Sequence, residues 1–105
     1  IIHRDLKPLN ILVSENWEIK VSDFGSANVK TSQVNQDYVL SDYVTTKYYR
    51  APELYFNYMK DYDGCVDMWA VGCIIAELFT KDIFINADNE VTYVQSLVRF
   101  MGVPD

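Results

Sequence analysis

Residues 3–10 read His3-Arg4-Asp5-Leu6-Lys7-Pro8-Leu9-Asn10, a dense run of ionisable and amide side chains directly after Ile1-Ile2. Two triplets stand behind it: Asp23-Phe24-Gly25, eighteen positions past Asp5, and Ala51-Pro52-Glu53. Each is weak by itself, because short motifs recur by chance; the order and spacing of all three carry the information. Between the first two lie Ile11-Leu12-Val13 and Ile19-Lys20-Val21, rich in β-formers and parted by the turn formers Ser14-Glu15-Asn16-Trp17. They read as a hairpin. Such a hairpin brings Asn10 at one end near Asp23 at the other, although 13 positions separate them.

Downstream the composition changes. From Ser26 to Tyr49, Thr, Ser, Gln, Asn and Asp dominate with little periodicity. This predicts a long loop, of the kind that carries function in compact domains. It ends in Ser41-Asp42-Tyr43-Val44-Thr45-Thr46-Lys47-Tyr48-Tyr49-Arg50. Pro52 permits a short helix from Glu53 to about Tyr58. A second helix is predicted over about 65–79, apolar on nearly every side, and such a helix belongs in a core. Asp67 sits in its first turn, where the helix dipole favours an anion. The last helix, about 90–101, is predicted to place Val91, Val94, Leu97, Val98 and Met101 on one face. Gly102 and Pro104 terminate it.

The 105 residues suit one domain, and with 50% hydrophobic residues they can build a core. A net charge of −6 argues against a nucleic-acid partner, whose backbone needs a basic surface. No apolar run reaches the roughly 18 residues that a membrane span needs, so no membrane partner is expected. Cys65 and Cys73 stand eight apart in one predicted helix, roughly 12 Å at about 1.5 Å per residue. That exceeds disulfide reach. Both are expected to be reduced core thiols, which fits a cytoplasmic or nuclear location. The chain opens on Ile1 and closes on Pro104-Asp105, and we expect a partial sequence.

In this order and spacing the three motifs resemble the catalytic loop, metal-binding triplet and activation-segment end of eukaryotic protein kinases. The resemblance runs the length of the chain. It implies an α+β fragment: the mainly helical C-terminal lobe of the kinase fold with a short β-hairpin, the N-terminal lobe being absent. Residues 1–105 would be a partial kinase domain, with catalytic loop 3–10 and activation segment 23–53. No Gly-rich loop or strand lysine precedes Ile1, so the fragment alone is expected to be inactive. The implied activity of the parent is transfer of the ATP γ-phosphate to protein hydroxyls, which asks for positioning and charge neutralisation more than covalent work. The resemblance makes Asp5 the acceptor of the attacking hydroxyl's proton. Asp23 and Asn10 become magnesium ligands, and Lys7 neutralises charge on the phosphoryl group. A lysine at that place resembles serine/threonine kinases. Thr46 would bridge Asp5 and Lys7. Structural roles are implied for His3, Phe24, Gly25, Glu53 and Asp67, the last accepting hydrogen bonds from catalytic-loop backbone.

Within the kinases, Ser41-Asp42-Tyr43 followed by Thr46-Lys47-Tyr48-Tyr49-Arg50-Ala51-Pro52-Glu53 resembles mitogen-activated protein kinases. In that family a hydroxyl residue and a tyrosine two positions on are both phosphorylated, here Ser41 and Tyr43. Arg4 would contact the first phosphate, and Lys47 and Arg50 the second. Three departures stand out: Ser41 for the usual threonine, Asn28 for a common arginine, and Lys47 for arginine, which loses the bidentate fork. Asp23-Phe24-Gly25-Ser26-Ala27 also looks like glycogen synthase kinases. The resemblance therefore covers the group containing mitogen-activated, cyclin-dependent and glycogen synthase kinases. It implies proline-directed protein substrates with Ser/Thr-Pro sites and an upstream activating kinase. The alternative is a pseudokinase or scaffold that uses the same fold to bind proteins.

Overall fold

The computed structural model describes residues 1–27, 47–55 and 63–103. Within them are two α-helices, one two-stranded antiparallel sheet, and turns of 3-10 helix at Pro8–Asn10, Phe24–Ser26, Lys47–Tyr49 and Pro52–Leu54. No helix among the described residues is long and apolar enough to cross a membrane.

Strands β1 (Ile11–Val13) and β2 (Ile19–Val21) pair with Ile11 opposite Val21, Leu12 opposite Lys20 and Val13 opposite Ile19. The turn is closed by its own polar groups. Ser14 N–H donates to Glu18 O at 2.9 Å, Trp17 N–H donates to Ser14 O at 3.0 Å, and Ser14 Oγ accepts from Glu18 N–H at 3.1 Å. Trp17 turns the chain at φ 63°, a left-handed conformation that costs a non-glycine residue about 1–2 kcal/mol. Apart from half-buried Ile11, both strands are exposed, so turn chemistry and the Asn10–Ser22 contact described below hold the hairpin.

Helix α1 spans Cys65–Thr80. Asp63 Oδ1 accepts Cys65 N–H at 2.8 Å at its start. Lys81 stops it in the left-handed region at φ 59°, donating N–H to Glu77 O at 2.7 Å. Val66, Ala70, Cys73 and Ile74 form its buried stripe, at the spacing of one helix face. The expectation of burial all round is corrected: Met68, Ile75, Leu78 and Phe79 are exposed. The described residues cover one side of α1, so an apolar opposite side remains open. Cys65 is likewise no core thiol; it is exposed at the first turn, while Cys73 is buried. Burial pushes the Cys73 thiol up to about 11.

Helix α2 spans Glu90–Met101 and starts on a reciprocal cap. Thr92 N–H donates to Asn89 Oδ1 at 2.9 Å, and Asn89 N–H donates to Thr92 Oγ1 at 3.3 Å. Its buried residues are Tyr93 and Leu97, whereas Val91 and Met101 are exposed. Counting aliphatic side chains alone had rotated the predicted face. The buried side is set by Tyr93, whose ring is fully enclosed and whose hydroxyl finds acceptors. Trp69 links the parts: it packs on the cluster of Tyr49, Ala70, Cys73 and Ile74, on that of Ile85, Ala87, Tyr93 and Leu97, and on that of Ile2, Ala51 and Val66. The segment 53–58 expected as a short helix is, in its described part, a 3-10 turn over Pro52–Leu54.

Candidate active site

The first turn of α1 fixes the start of the chain. Asp67 Oδ2 accepts the N–H of His3 at 2.7 Å, and Oδ1 accepts that of Arg4 at 2.8 Å. Carboxylate-to-amide bonds of this kind are among the stronger neutral–charged contacts. They hold Arg4 at φ 71°, outside the range most side chains adopt. His3 is buried and bonded at both ring nitrogens: Nε2 lies 2.9 Å from Ser22 O, and Nδ1 accepts Asp5 N–H at 3.1 Å. That pattern assigns the ring proton to Nε2. The ring also meets Phe24 edge-on, with centroids 4.9 Å apart. His3 and Phe24 thus join residues 3–5 to 22–24 by packing and hydrogen bonding. The Arg4 guanidinium donates through Nε to Ser26 O.

Asp5, Lys7 and Asn10 come together on this frame. Buried Asn10 donates from Nδ2 to Asp5 O at 2.8 Å and to Asp5 Oδ2 at 3.3 Å. Lys7 Nζ lies 3.8 Å from Asp5 Oδ2, both side chains being largely enclosed. Asn10 O accepts the N–H of Ser22 at 2.8 Å and its hydroxyl at 3.2 Å. Two strands of chain are therefore stitched at Asn10–Ser22, one residue before Asp23. Asp23 is exposed, at φ 62°, with Oδ1 accepting Gly25 N–H at 3.4 Å. A Cβ on Gly25 would stand 3.3 Å from that oxygen, so the close approach favours glycine there.

The described residues hold no group of three or more His, Cys, Asp or Glu side chains placed for a metal. A magnesium ion asks for less: a carboxylate, one or two neutral oxygens, water and phosphate. Asn10 commits its amide nitrogen to Asp5, so its Oδ1 is the side-chain oxygen that could serve as a ligand. The exposed Asp23 carboxylate is a hard anionic donor one residue from the stitch. This donor set fits the ion.

A second cluster surrounds residues 47–55. Tyr49 donates its hydroxyl to Glu77 Oε2 at 2.6 Å. Lys47 Nζ donates to Asp88 O at 2.5 Å and lies 5.6 Å from the Tyr48 ring centroid. Arg50 pairs with Glu90 at 3.7 Å and stacks 5.7 Å from the Tyr55 ring. Thus Lys47 and Arg50, two of the predicted phosphate contacts, face the start of α2. Glu53 forms no ion pair among the described residues. Ser41, Tyr43, Thr46 and Asn28 lie outside the described residues.

Sequence reasoning missed Ser22, Glu77, Tyr55 and Tyr93. Ser22 was legible only as the neighbour of the Asp23 triplet. The other three act through contacts between distant segments, which no local pattern announces.

Two comparisons bear on this arrangement. The family profile described as "Protein kinase domain" matches residues 1–103. Mitogen-activated protein kinase 14 of Xenopus laevis is 41% identical over all 105 residues. The chain spans 27% of the length of that relative.

Proposed function

The chain belongs to the protein kinase domain family, and from that premise we propose that the whole protein is a serine/threonine kinase of the mitogen-activated type. The observation that carries this is the gathering at Asn10: its amide meets Asp5 at 2.8 Å, and its carbonyl is stitched to Ser22 beside Asp23. In this reading residues 1–105 are part of the C-terminal lobe, with 3–10 as catalytic loop and 23–53 as activation segment.

The chemistry follows from the residues. The substrate hydroxyl oxygen bonds to the γ-phosphorus of ATP, the bond from that phosphorus to the bridging oxygen breaks, and ADP leaves. Asp5 orients the hydroxyl and takes its proton. A carboxylate is a weak base, and it suffices because the proton leaves late in a loose transition state. Lys7, 3.8 Å from Asp5, holds positive charge where the phosphoryl group passes. Asn10 and Asp23 would hold magnesium, which supplies charge neutralisation on the phosphates when bound. Asp67 and His3 keep the loop in place through the bonds given above.

We also assign regulation to phosphorylation of Ser41 and Tyr43 by an upstream kinase, and substrate choice to Ser/Thr-Pro sites. A cytoplasmic or nuclear location accompanies this reading. The similarity to a mitogen-activated protein kinase supports these finer assignments. The test is phosphate transfer by the full-length protein to Ser-Pro and Tyr peptides with magnesium and ATP. Asp5→Ala and Asp23→Ala should each lower turnover by several orders of magnitude with the fold retained. Wild-type rates in either variant, or transfer to tyrosine alone, overturn the assignment.

A further inference from the structure

Two tyrosine hydroxyls converge on the backbone of Lys47–Arg50. Tyr55 donates its hydroxyl to Lys47 O at 2.9 Å. The Tyr93 hydroxyl lies 3.2 Å from Tyr48 O and 3.1 Å from Arg50 O. A phenol has one proton, so Tyr93 shares it between two carbonyls or alternates between them. The rings lie 5.1 Å apart, and Tyr93 is fully buried. Lys47 Nζ reaching Asp88 O and Arg50 pairing with Glu90 bring the same segment's side chains to the same helix start. Backbone and side chains of one short segment are therefore held from α2 and from Tyr55.

We propose that Tyr55 and Tyr93 are positioning residues for substrate binding, a hydroxyl pair that sets the backbone of Lys47–Arg50, the segment that directly follows Thr46; this rests on the kinase reading, which assigns Thr46 to Asp5 and Lys7. Neither hydroxyl touches reacting atoms. Their work is to orient three carbonyls and, with them, the Arg50 side chain that stacks on Tyr55. Burial holds both phenols protonated well past neutrality, Tyr55 up to about 12, so both stay donors.

The test uses the full-length protein with Tyr93→Phe, Tyr55→Phe and the double variant, which keep the rings in the core. Kinetics are read on a Ser-Pro peptide and its Ser-Ala counterpart. Amide hydrogen exchange is read over residues 47–55, where Arg50 N–H bonds Lys47 O at 3.3 Å. Each single variant should raise KM for the Ser-Pro peptide about five- to tenfold, the size of one lost hydrogen bond, with kcat within about twofold. The preference for Ser-Pro should narrow, and exchange over 47–55 should quicken. Unchanged exchange with unchanged KM overturns the proposal, as does a loss confined to kcat. If the wild type phosphorylates neither peptide, the kinase reading fails; quickened exchange would then still establish that the pair sets this backbone.

Discussion

Tyr49 donates its hydroxyl to Glu77 Oε2 at 2.6 Å, across 28 positions of sequence. The bond ties the Lys47–Tyr49 turn to the last turn of α1, and the same Glu77 accepts Lys81 N–H at 2.7 Å through its backbone carbonyl. Hydrogen bonds to charged acceptors contribute about 1.5–3 kcal/mol when shielded. Tyr49→Phe should therefore lower the unfolding free energy of the full-length protein by about that amount. Glu77→Gln should couple to it in a double-mutant cycle read by urea denaturation. Strictly additive losses would show that the two side chains do not interact.

Alkaline pH should weaken the fold in two stages. Burial raises Cys73 from 9.0 to about 11 and Tyr55 from 10.0 to about 12, and it raises Tyr49 and Tyr93 in the same direction. A raised pKa means the folded state keeps a proton the unfolded state releases, so the associated stability is complete below the unfolded value and is lost above it. Loss should begin near pH 9 with Cys73 and steepen past pH 10 with the tyrosines, by up to about 1.4 kcal/mol per pH unit for each group. Urea midpoints between pH 8 and 11 check this. Cys73→Ala should remove the first stage alone, and a flat profile would contradict both.

Asp67→Asn leaves one acceptor oxygen where two were used, and sets an amide NH2 against a backbone N–H. We expect about 1–3 kcal/mol of lost stability, the cost of an unsatisfied shielded donor. Faster amide exchange at His3 and Arg4 should accompany it. Wild-type exchange at both would show that the contact does not hold the loop.

The hairpin and both helices were legible because they rest on local signals: β-formers about a turn, an unbroken apolar run, and a helix ended by Gly102. The helix faces were less so. Apolar residues on all sides of α1 gave no direction, and neighbours present on one side decided that Met68 and Leu78 are exposed. On α2, Tyr93 displaced the aliphatic face because a buried phenol needs both packing and an acceptor. At the site, residue types in Asp5, Asn10 and Asp23 were readable, while the Asn10–Ser22 stitch and the Tyr49–Glu77 bond came only with the folded chain.

The start of α2 separates two effects of different size. The Arg50–Glu90 pair is 3.7 Å long and the Glu90 side chain is 65% exposed, so water and salt screen it. Exposed pairs contribute about 0–1 kcal/mol. The Asn89–Thr92 box instead satisfies helix-end N–H groups that have no partner within the helix. Asn89→Ala should cost about 1 kcal/mol. Glu90→Gln should change stability by less than about 0.5 kcal/mol. Denaturation of both variants at low and at molar salt checks the ranking. The Asn89→Ala loss should persist in salt, and the small Glu90→Gln effect should vanish. A larger loss from Glu90→Gln would mean that the ion pair, and not the cap, anchors α2 to Arg50.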